Sequence, residues 1–198
     1  MSECVCVRVI LCCDRLSDCH VHYSFLLFPW LFSFYFRSQM IGPGFDPVSL
    51  ELWPFLTLGA SVHIMPHDVR SSPPALYRWL QAHRITVGLF ATPVAETILH
   101  EQWPANPLCA GPGVSAVRPH LRVMTAGGDK LHSRPKCLPF RFDNHYGPSE
   151  ATVITTFWPI PDGFKGAPPI GKPVHNTFVY VLDQYRQVRS PPRSLFAD

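Results

Sequence analysis

The sequence predicts an α/β fold, in which a largely parallel β-sheet is flanked by helices. From residue 41 onward, short apolar runs typical of strands alternate with amphipathic runs typical of helices. Of the 198 residues, 46% are hydrophobic, which suffices for the core of one domain. The 22 prolines cluster between these runs and indicate long ordered loops. Since ligands bind at the carboxyl ends of parallel strands, we expect a site built from the loops there.

The first predicted unit is a strand followed by an amphipathic helix. The run SVHIM at residues 61–65 is β-like in composition. Ser72 then stands where an N-cap is expected, and Pro73 stands at the first helical position. The apolar face of this helix would consist of Leu76, Trp79, Leu80 and His83.

The next units repeat the same alternation. The run ITVGLFA at residues 85–91 predicts a buried strand, and Thr92 with Pro93 predicts another capped helix start. The run LRVMTAGGD at residues 121–129 predicts a third strand that ends in a glycine pair, and FVYVLD at residues 178–183 predicts a later strand. The alternation of strands with helices is the observation that favours parallel strand order.

Residues 1–40 differ in composition from the rest. Residues 25–36 read FLLFPWLFSFYF, with Pro29 inside the run and Arg37 directly after it. The run is shorter than the about 20 apolar residues that span a membrane, and no signal-peptide pattern surrounds it. We therefore expect residues 1–40 to lie outside a partial domain at residues 41–198. Two interpretations stay open for this segment: sequence that is not normally translated, or an interfacial membrane anchor.

The cysteines do not have the spacing of a disulfide framework. Five of the seven lie within the first 20 residues: Cys4, Cys6, Cys12, Cys13 and Cys19. Cys109 and Cys137 stand alone in the remainder, whereas a disulfide framework would extend along the folded unit. We expect a reducing compartment and therefore a cytoplasmic protein.

Metal and nucleic acid are disfavoured as partners. Zinc bound through Cys4, Cys6 and either His20 or His22 is a poor alternative, because no C-x-x-C pair is present. The net charge is only +3 and contains no basic block, so nothing indicates nucleic-acid binding.

Four short motifs follow one another in a fixed order. They are GFDP at residues 44–47, AGGD at 126–129, NHYGPSE at 144–150 and PIGKPV at 169–174. Each alone suits an ordinary turn or a helix cap. Together, over residues 41–188, they resemble the adenylation domains of nonribosomal peptide synthetases, within the superfamily of acyl-CoA synthetases and luciferases. NHYGPSE is the most specific of the four.

The resemblance implies an enzyme that joins a carboxylate to ATP, releases pyrophosphate and leaves an acyl-adenylate. It also implies that the chain is part of the large N-terminal subdomain of such an enzyme. Tyr146 would stack on adenine and Asn144 would bind its edge, while Ser149 would contact phosphate and Glu150 would hold Mg²⁺. The implied nucleotide-binding residues are Gly127, Gly128, Asn144, Tyr146, Gly147 and Ser149.

The resemblance also implies an amino acid as the substrate. Asp46 corresponds to a carboxylate that pairs with the substrate's α-ammonium group, an arrangement that offsets the cost of burying either charge alone. The other implied substrate-binding residues are Pro47, Leu50, Leu89, Met124, Ala126, His145, Val153 and Ile154. His145 would either read a polar group of the substrate or pack as a core histidine.

Several parts of the family pattern are missing from the sequence. There is no Ser/Thr/Gly-rich phosphate loop before GFDP, no ribose-binding Asp after FVYVLD and no domain carrying the catalytic Lys. We therefore expect an enzyme fragment that is inactive alone and that meets a carrier-protein domain only in a complete synthetase. The alternative is a non-catalytic remnant that binds nucleotide weakly or serves as an interaction piece.

Overall fold

The computed structural model of the protein describes residues 6–10, 36–104, 119–132 and 137–188. The strands are β1 (Cys6–Ile10), β2 (Phe36–Gln39), β3 (Ser61–Ile64), β4 (Val87–Ala91), β5 (Val123–Gly127), β6 (Arg141–Tyr146), β7 (Thr156–Pro159), β8 (Lys172–Pro173) and β9 (Phe178–Leu182). The helices are α1 (Val48–Leu56), α2 (His67–Arg70), α3 (Pro73–Ala82) and α4 (Thr92–Ile98), with a 3₁₀ turn at Ser149–Ala151.

The larger sheet has seven strands in the order β3-β2-β4-β5-β6-β7-β8. Neighbouring strands from β3 to β6 are parallel, and β7 is antiparallel to both β6 and β8. The predicted α/β class with a largely parallel sheet is therefore confirmed. A separate two-stranded sheet pairs β1 with β9 in antiparallel register.

Helices cover both faces of the larger sheet. On one face, α3 and α4 contribute Leu76, Leu80 and Ile98 to the main core, where they pack with Phe90 of β4 and Phe142 of β6. On the other face, Leu50 of α1 packs with Leu89 and Val153 in a smaller cluster. Successive residues of a strand point to opposite faces, so neighbours on β4 serve the two clusters.

Two predicted helix starts differ in detail. Helix α3 begins at Pro73 with Ser72 as its N-cap, although the Ser72 side chain makes no cap hydrogen bond. Helix α4 begins at Thr92 instead of Pro93, with Ala91 as the N-cap residue. The Thr92 hydroxyl donates to the Asp129 carbonyl at 3.1 Å. This hydrogen bond ties the start of α4 to the loop after β5.

The larger sheet includes residues that we expected to lie outside the domain. Strand β2, at Phe36–Gln39, pairs with β3 along its length and with β4 through Arg37 and Val87. The sheet therefore starts at or before Phe36. The proposed zinc ligands Cys4, His20 and His22 lie outside the described residues.

Three further observations concern metals, cysteine and membranes. Within residues 6–10, 36–104, 119–132 and 137–188, no three His, Cys, Asp or Glu side chains gather into a metal site. Cys137 is disulfide-bonded, unlike the free thiol that we expected. In that same part of the chain, every helix is too short or too polar to span a bilayer.

Candidate functional site

The carboxyl ends of three adjacent parallel strands meet at one edge of the larger sheet. In the register, Ala91 of β4 lies beside Gly127 of β5, and Gly127 lies beside His145 of β6. The glycine pair and the segment NHYGPSE are therefore neighbours in space. This is the edge at which a ligand is expected in a parallel sheet.

The two glycines are required for different reasons. A Cβ atom on Gly127 would lie 2.9 Å from the carbonyl oxygen of His145, so a side chain there would collide with β6. Gly128 has a φ of +91°, which side chains disfavour, and the space around its Cα is open. The strand end thus combines close backbone packing with an unobstructed surface that a flat ligand can approach.

The turn after β6 is closed by the chain that follows it. A Cβ atom on Gly147 would overlap the Val153 carbonyl and lie 2.8 Å from the Ile154 Cα. The Thr155 amide donates to the Tyr146 carbonyl at 2.8 Å. Gly147 is therefore needed for this crossing of the backbone, and the 3₁₀ turn that follows leaves Ser149 and Glu150 exposed.

Asn144 joins the turn to a second loop. It is 4% exposed, and its Nδ2 donates to the Pro169 carbonyl at 2.9 Å. The Thr156 hydroxyl donates to the next carbonyl, that of Ile170. Gly171, in this loop, has a φ of +93° and no room for a Cβ atom against the Phe157 carbonyl. The motif PIGKPV therefore packs closely on the sheet and is more than the surface turn that its letters suggest.

A small cavity lies on the α1 face of the sheet. Its volume is about 10 Å³, which holds at most a single water. Four of the predicted substrate residues line it: Leu50, Leu89, His145 and Ile154. Three residues that the sequence did not indicate complete the wall: Arg37, Phe55 and Thr125.

Other predicted substrate residues have different positions. Val153 packs with Leu50 and Leu89 beside the cavity. Met124 and Ala126 are fully buried in the main core and do not line the cavity. The strand pleat explains this difference, because Thr125 points toward the cavity and its two neighbours point the other way.

Asp46 and Pro47 lie at the start of α1. Pro47 is the N-cap residue, and no side chain provides a cap hydrogen bond. The Asp46 carbonyl accepts a hydrogen bond from the Ser49 amide at 3.0 Å. Asp46 is half-buried, one turn before Leu50 of the cavity wall. A helix-capping role for the Asp46 carboxylate therefore has no support in these contacts.

Arg37 brings a buried positive charge to the cavity. It is 3% exposed, and its guanidinium carbon lies 4.8 Å from the centre of the Phe55 ring. Its Nε atom has no hydrogen-bond partner in the part of the chain that the structure describes. Burial lowers the pKa of Arg37 to about 10, although the nearby negative charge of Glu51 opposes this shift. Arg37 remains charged at neutral pH.

His145 is neutral in this environment. Its Nδ1 atom is buried and lacks a hydrogen-bond partner among the described residues. Burial lowers the pKa of His145 to about 3, and the positive charges of Arg37 and Arg141 act in the same direction. A neutral imidazole still donates one hydrogen bond, so His145 can serve as a polar group of the cavity.

Glu51 fastens α1 to the end of β2. Its carboxylate accepts hydrogen bonds from the Met40 amide at 3.1 and 3.0 Å and from the Ile41 amide at 2.8 Å. Burial raises the pKa of Glu51, while these amides and the charges of Arg37 and Arg70 oppose the rise. Its hydrogen bonds to backbone amides assign Glu51 to the framework of the site.

Comparison with known proteins agrees with this geometry. The model of the AMP-binding enzyme family matches residues 44–194. One of the proteins that make up the linear gramicidin synthase of Brevibacillus parabrevis is 39% identical over 153 residues, which are 76% of this chain and 3% of that protein. The chain thus spans a small part of the synthetase that it matches.

Solved structures share the fold. The N-terminal subdomain of NpsA from Klebsiella oxytoca, solved with 3-hydroxybenzoyl-AMSN, matches 79% of this chain and 39% of its own with a TM-score of 0.61 at 15% identity. A holo four-domain nonribosomal peptide synthetase bound to AMP and glycine matches 79% of this chain and 11% of its own with a TM-score of 0.62 at 24% identity. The fold is that of the N-terminal subdomain of adenylation domains. By its match over residues 44–194, the chain belongs to the AMP-binding enzyme family.

Proposed function

We propose that the chain is part of an amino-acid-activating adenylation domain of a nonribosomal peptide synthetase. The complete domain joins an amino-acid carboxylate to ATP, giving an aminoacyl-adenylate and pyrophosphate. One observation carries the proposal: the glycine pair and NHYGPSE meet at the carboxyl ends of β5 and β6, with the small cavity beside them. The nucleotide then lies over the strand ends and the amino acid lies toward the cavity.

For the nucleotide, the turn after β6 offers both a ring and a hydroxyl. The half-buried Tyr146 stacks on adenine, since an aromatic face suits any base. The open surface at Gly128 gives the base room, and the exposed Ser149 hydroxyl reaches a phosphate. Asn144 binds the adenine edge with the donors and acceptor that its bond to Pro169 leaves over.

The residues present fit a Mg²⁺ ion that arrives with its nucleotide. Glu150 is exposed on the 3₁₀ turn, and the described residues contain no cluster of three ligands that would hold a metal alone. Mg²⁺ in nucleotide sites is bound through one or two carboxylates together with phosphate oxygens and water. When bound, the ion would neutralise charge on the phosphates. Glu150 contributes a single carboxylate at the edge of the sheet.

For the amino acid, Asp46 pairs with the α-ammonium group, and the substrate side chain points toward the cavity. Leu50, Leu89, Val153 and Ile154 provide its apolar wall. Pro47 fixes the start of α1. Met124 and Ala126 shape this site from behind, through the packing of β5. A carrier-protein domain of the complete synthetase is the acceptor of the activated group.

The nucleotide role can be tested by titrating the chain with ATP and Mg²⁺ in a calorimeter. Tyr146→Ala removes the stacking ring and should weaken binding by roughly 5- to 100-fold, because base stacking contributes about 1–3 kcal/mol. Tyr185→Ala is the matched control, since Tyr185 is 73% exposed in the turn after β9. Equal affinities of Tyr146→Ala and the control would contradict the proposed site, and so would no saturable binding by the unaltered chain.

A further inference from the structure

Two buried nitrogen atoms without partners line the same cavity. They are Nε of Arg37 and Nδ1 of His145, and neither has a hydrogen-bond partner among the described residues. An unsatisfied buried donor costs about 1–3 kcal/mol, and more when it is charged. The positive charge of Arg37 is felt at His145, which shows that the two groups are close. The cavity therefore lacks an acceptor that both donors could share.

The protein does not supply this acceptor from the surrounding walls. The nearest anion to Arg37 is Glu51, but its oxygens already accept the Met40 and Ile41 amides. The Thr125 hydroxyl donates to the Gly88 carbonyl at 3.3 Å. The other lining side chains, those of Leu50, Phe55, Leu89 and Ile154, are apolar. A group that only accepts hydrogen bonds would have to come from a ligand.

We infer that the cavity receives the side-chain carboxylate of an acidic amino acid, with Arg37 as its ionic partner and His145 as a second donor. The inference rests on the proposed function, which places the substrate side chain at this cavity. A carboxylate accepts from both donors, whereas a side-chain amide brings an NH₂ group against one of them and an apolar side chain leaves both unsatisfied. The substrate class is therefore the dicarboxylic amino acids.

The size of the cavity defines the competing explanation. A volume of about 10 Å³ holds a single water, which could itself accept from both nitrogen atoms. Entry of a carboxylate requires the apolar side chains of the wall to shift outward. A site that holds only a water would show no preference for acidic ligands, so the two explanations differ in a measurable way.

The experiment compares acids with their amides on the complete chain in the presence of AMP. L-Glutamate, L-aspartate, L-glutamine, L-asparagine and L-leucine are each titrated calorimetrically. We expect at least one acid to bind about tenfold or more tightly than its own amide, because hydrogen bonds to charged groups are the stronger ones. Arg37→Met should remove this preference, and Arg37→Lys should retain part of it. Arg78→Met is the control, because Arg78 is exposed on α3.

Each outcome decides the inference. Equal binding of acids and amides, tightest binding of leucine, or no binding of any amino acid would overturn it and leave a water-filled cavity. A preference for acids that survives in Arg37→Met would overturn the role of Arg37. If Arg37→Met fails to fold, the acid-to-amide ratio of the unaltered chain still decides the substrate class. AMP binding in the same titrations reports separately on the proposed function.

Discussion

Gly147 illustrates how one residue holds the candidate nucleotide site together. The chain at Val153 and Ile154 crosses directly over its Cα, in the space that a side chain would need. The obstructing atoms belong to the backbone, so no rotamer change can relieve the contact. The turn that carries Tyr146, Ser149 and Glu150 therefore depends on this glycine for its shape.

We predict that Gly147→Ala destabilises the fold by about 2–3 kcal/mol, the upper part of the usual range for overpacking. Gly44→Ala is the matched control, because a Cβ atom on Gly44 would meet nothing within 4 Å and the φ of Gly44 is not positive. The free energy of unfolding, measured with urea, provides the comparison. A Gly147→Ala protein as stable as the control would mean that the crossing at Val153 is not as close as described.

Single residues also show which parts of the site a sequence can reveal. NHYGPSE is recognisable because its letters are needed for both a turn and a ligand. Arg37 is not recognisable, since the sequence places it after an aromatic run and its partners lie on α1 and β6. Met124 and Ala126 were assigned to the substrate pocket, yet the pleat turns Thr125 toward the cavity in their place.

At the scale of elements, α1 and β2 act as one unit. The Glu51 carboxylate on α1 satisfies the amides of Met40 and Ile41, where the chain leaves β2. These amides have no further strand residue to pair with, so a helix side chain takes the place of a neighbouring strand. The unit positions both Arg37 of β2 and Leu50 of α1 at the cavity.

We predict that Glu51→Gln lowers the unfolding free energy by about 1–3 kcal/mol at pH 7, because an NH₂ group then faces backbone N–H donors. The cost should increase toward lower pH. Burial raises the pKa of Glu51, so the native state takes up a proton before the unfolded state does. The wild type thus has its full contribution from this group below about pH 4.5 and loses it as pH rises through the raised pKa, whereas Gln does not titrate.

Urea unfolding of wild type and variant at pH 7, 6 and 5 measures this difference. Glu150→Gln is the control, because Glu150 is exposed on the 3₁₀ turn and should show a difference near zero at each pH. A Glu51→Gln cost that shrinks as the pH falls would contradict the assigned direction of the pKa shift.

The elements differ in how well their sequences announce them. Helices α3 and α4 are predictable because prolines mark their starts and apolar residues repeat with helical spacing. Helix α1 is hidden, since it contains Pro54 and has no side-chain cap. Strand β2 is hidden as well, because Arg37–Gln39 reads as polar loop sequence and only the contacts with β3 and α1 explain its burial.

At the scale of the whole molecule, β2 decides where the domain begins. The strand lies between β3 and β4, so it is the only link that joins β3 to the rest of the larger sheet among the described strands. The sequence placed the boundary at Ile41 on composition alone. Composition cannot detect a strand whose neighbours follow it by more than twenty residues in the chain.

Two deletions separate these boundaries. Removing residues 1–35 keeps β2, and we predict that the remaining chain retains a cooperative urea transition. Removing residues 1–40 takes away β2 together with Arg37 and the Met40 amide, so β3 loses its partner and Glu51 loses both its counter-charge and one of its donors. Stranding a buried charge costs about 3–5 kcal/mol, which is a large part of the about 5–15 kcal/mol that stabilises a typical domain. We therefore expect the shorter chain to be largely unfolded, with a weak helical signal in far-ultraviolet circular dichroism and no sharp transition. Equal stability of the two deletion proteins would place the boundary at Ile41 and remove Arg37 from the site.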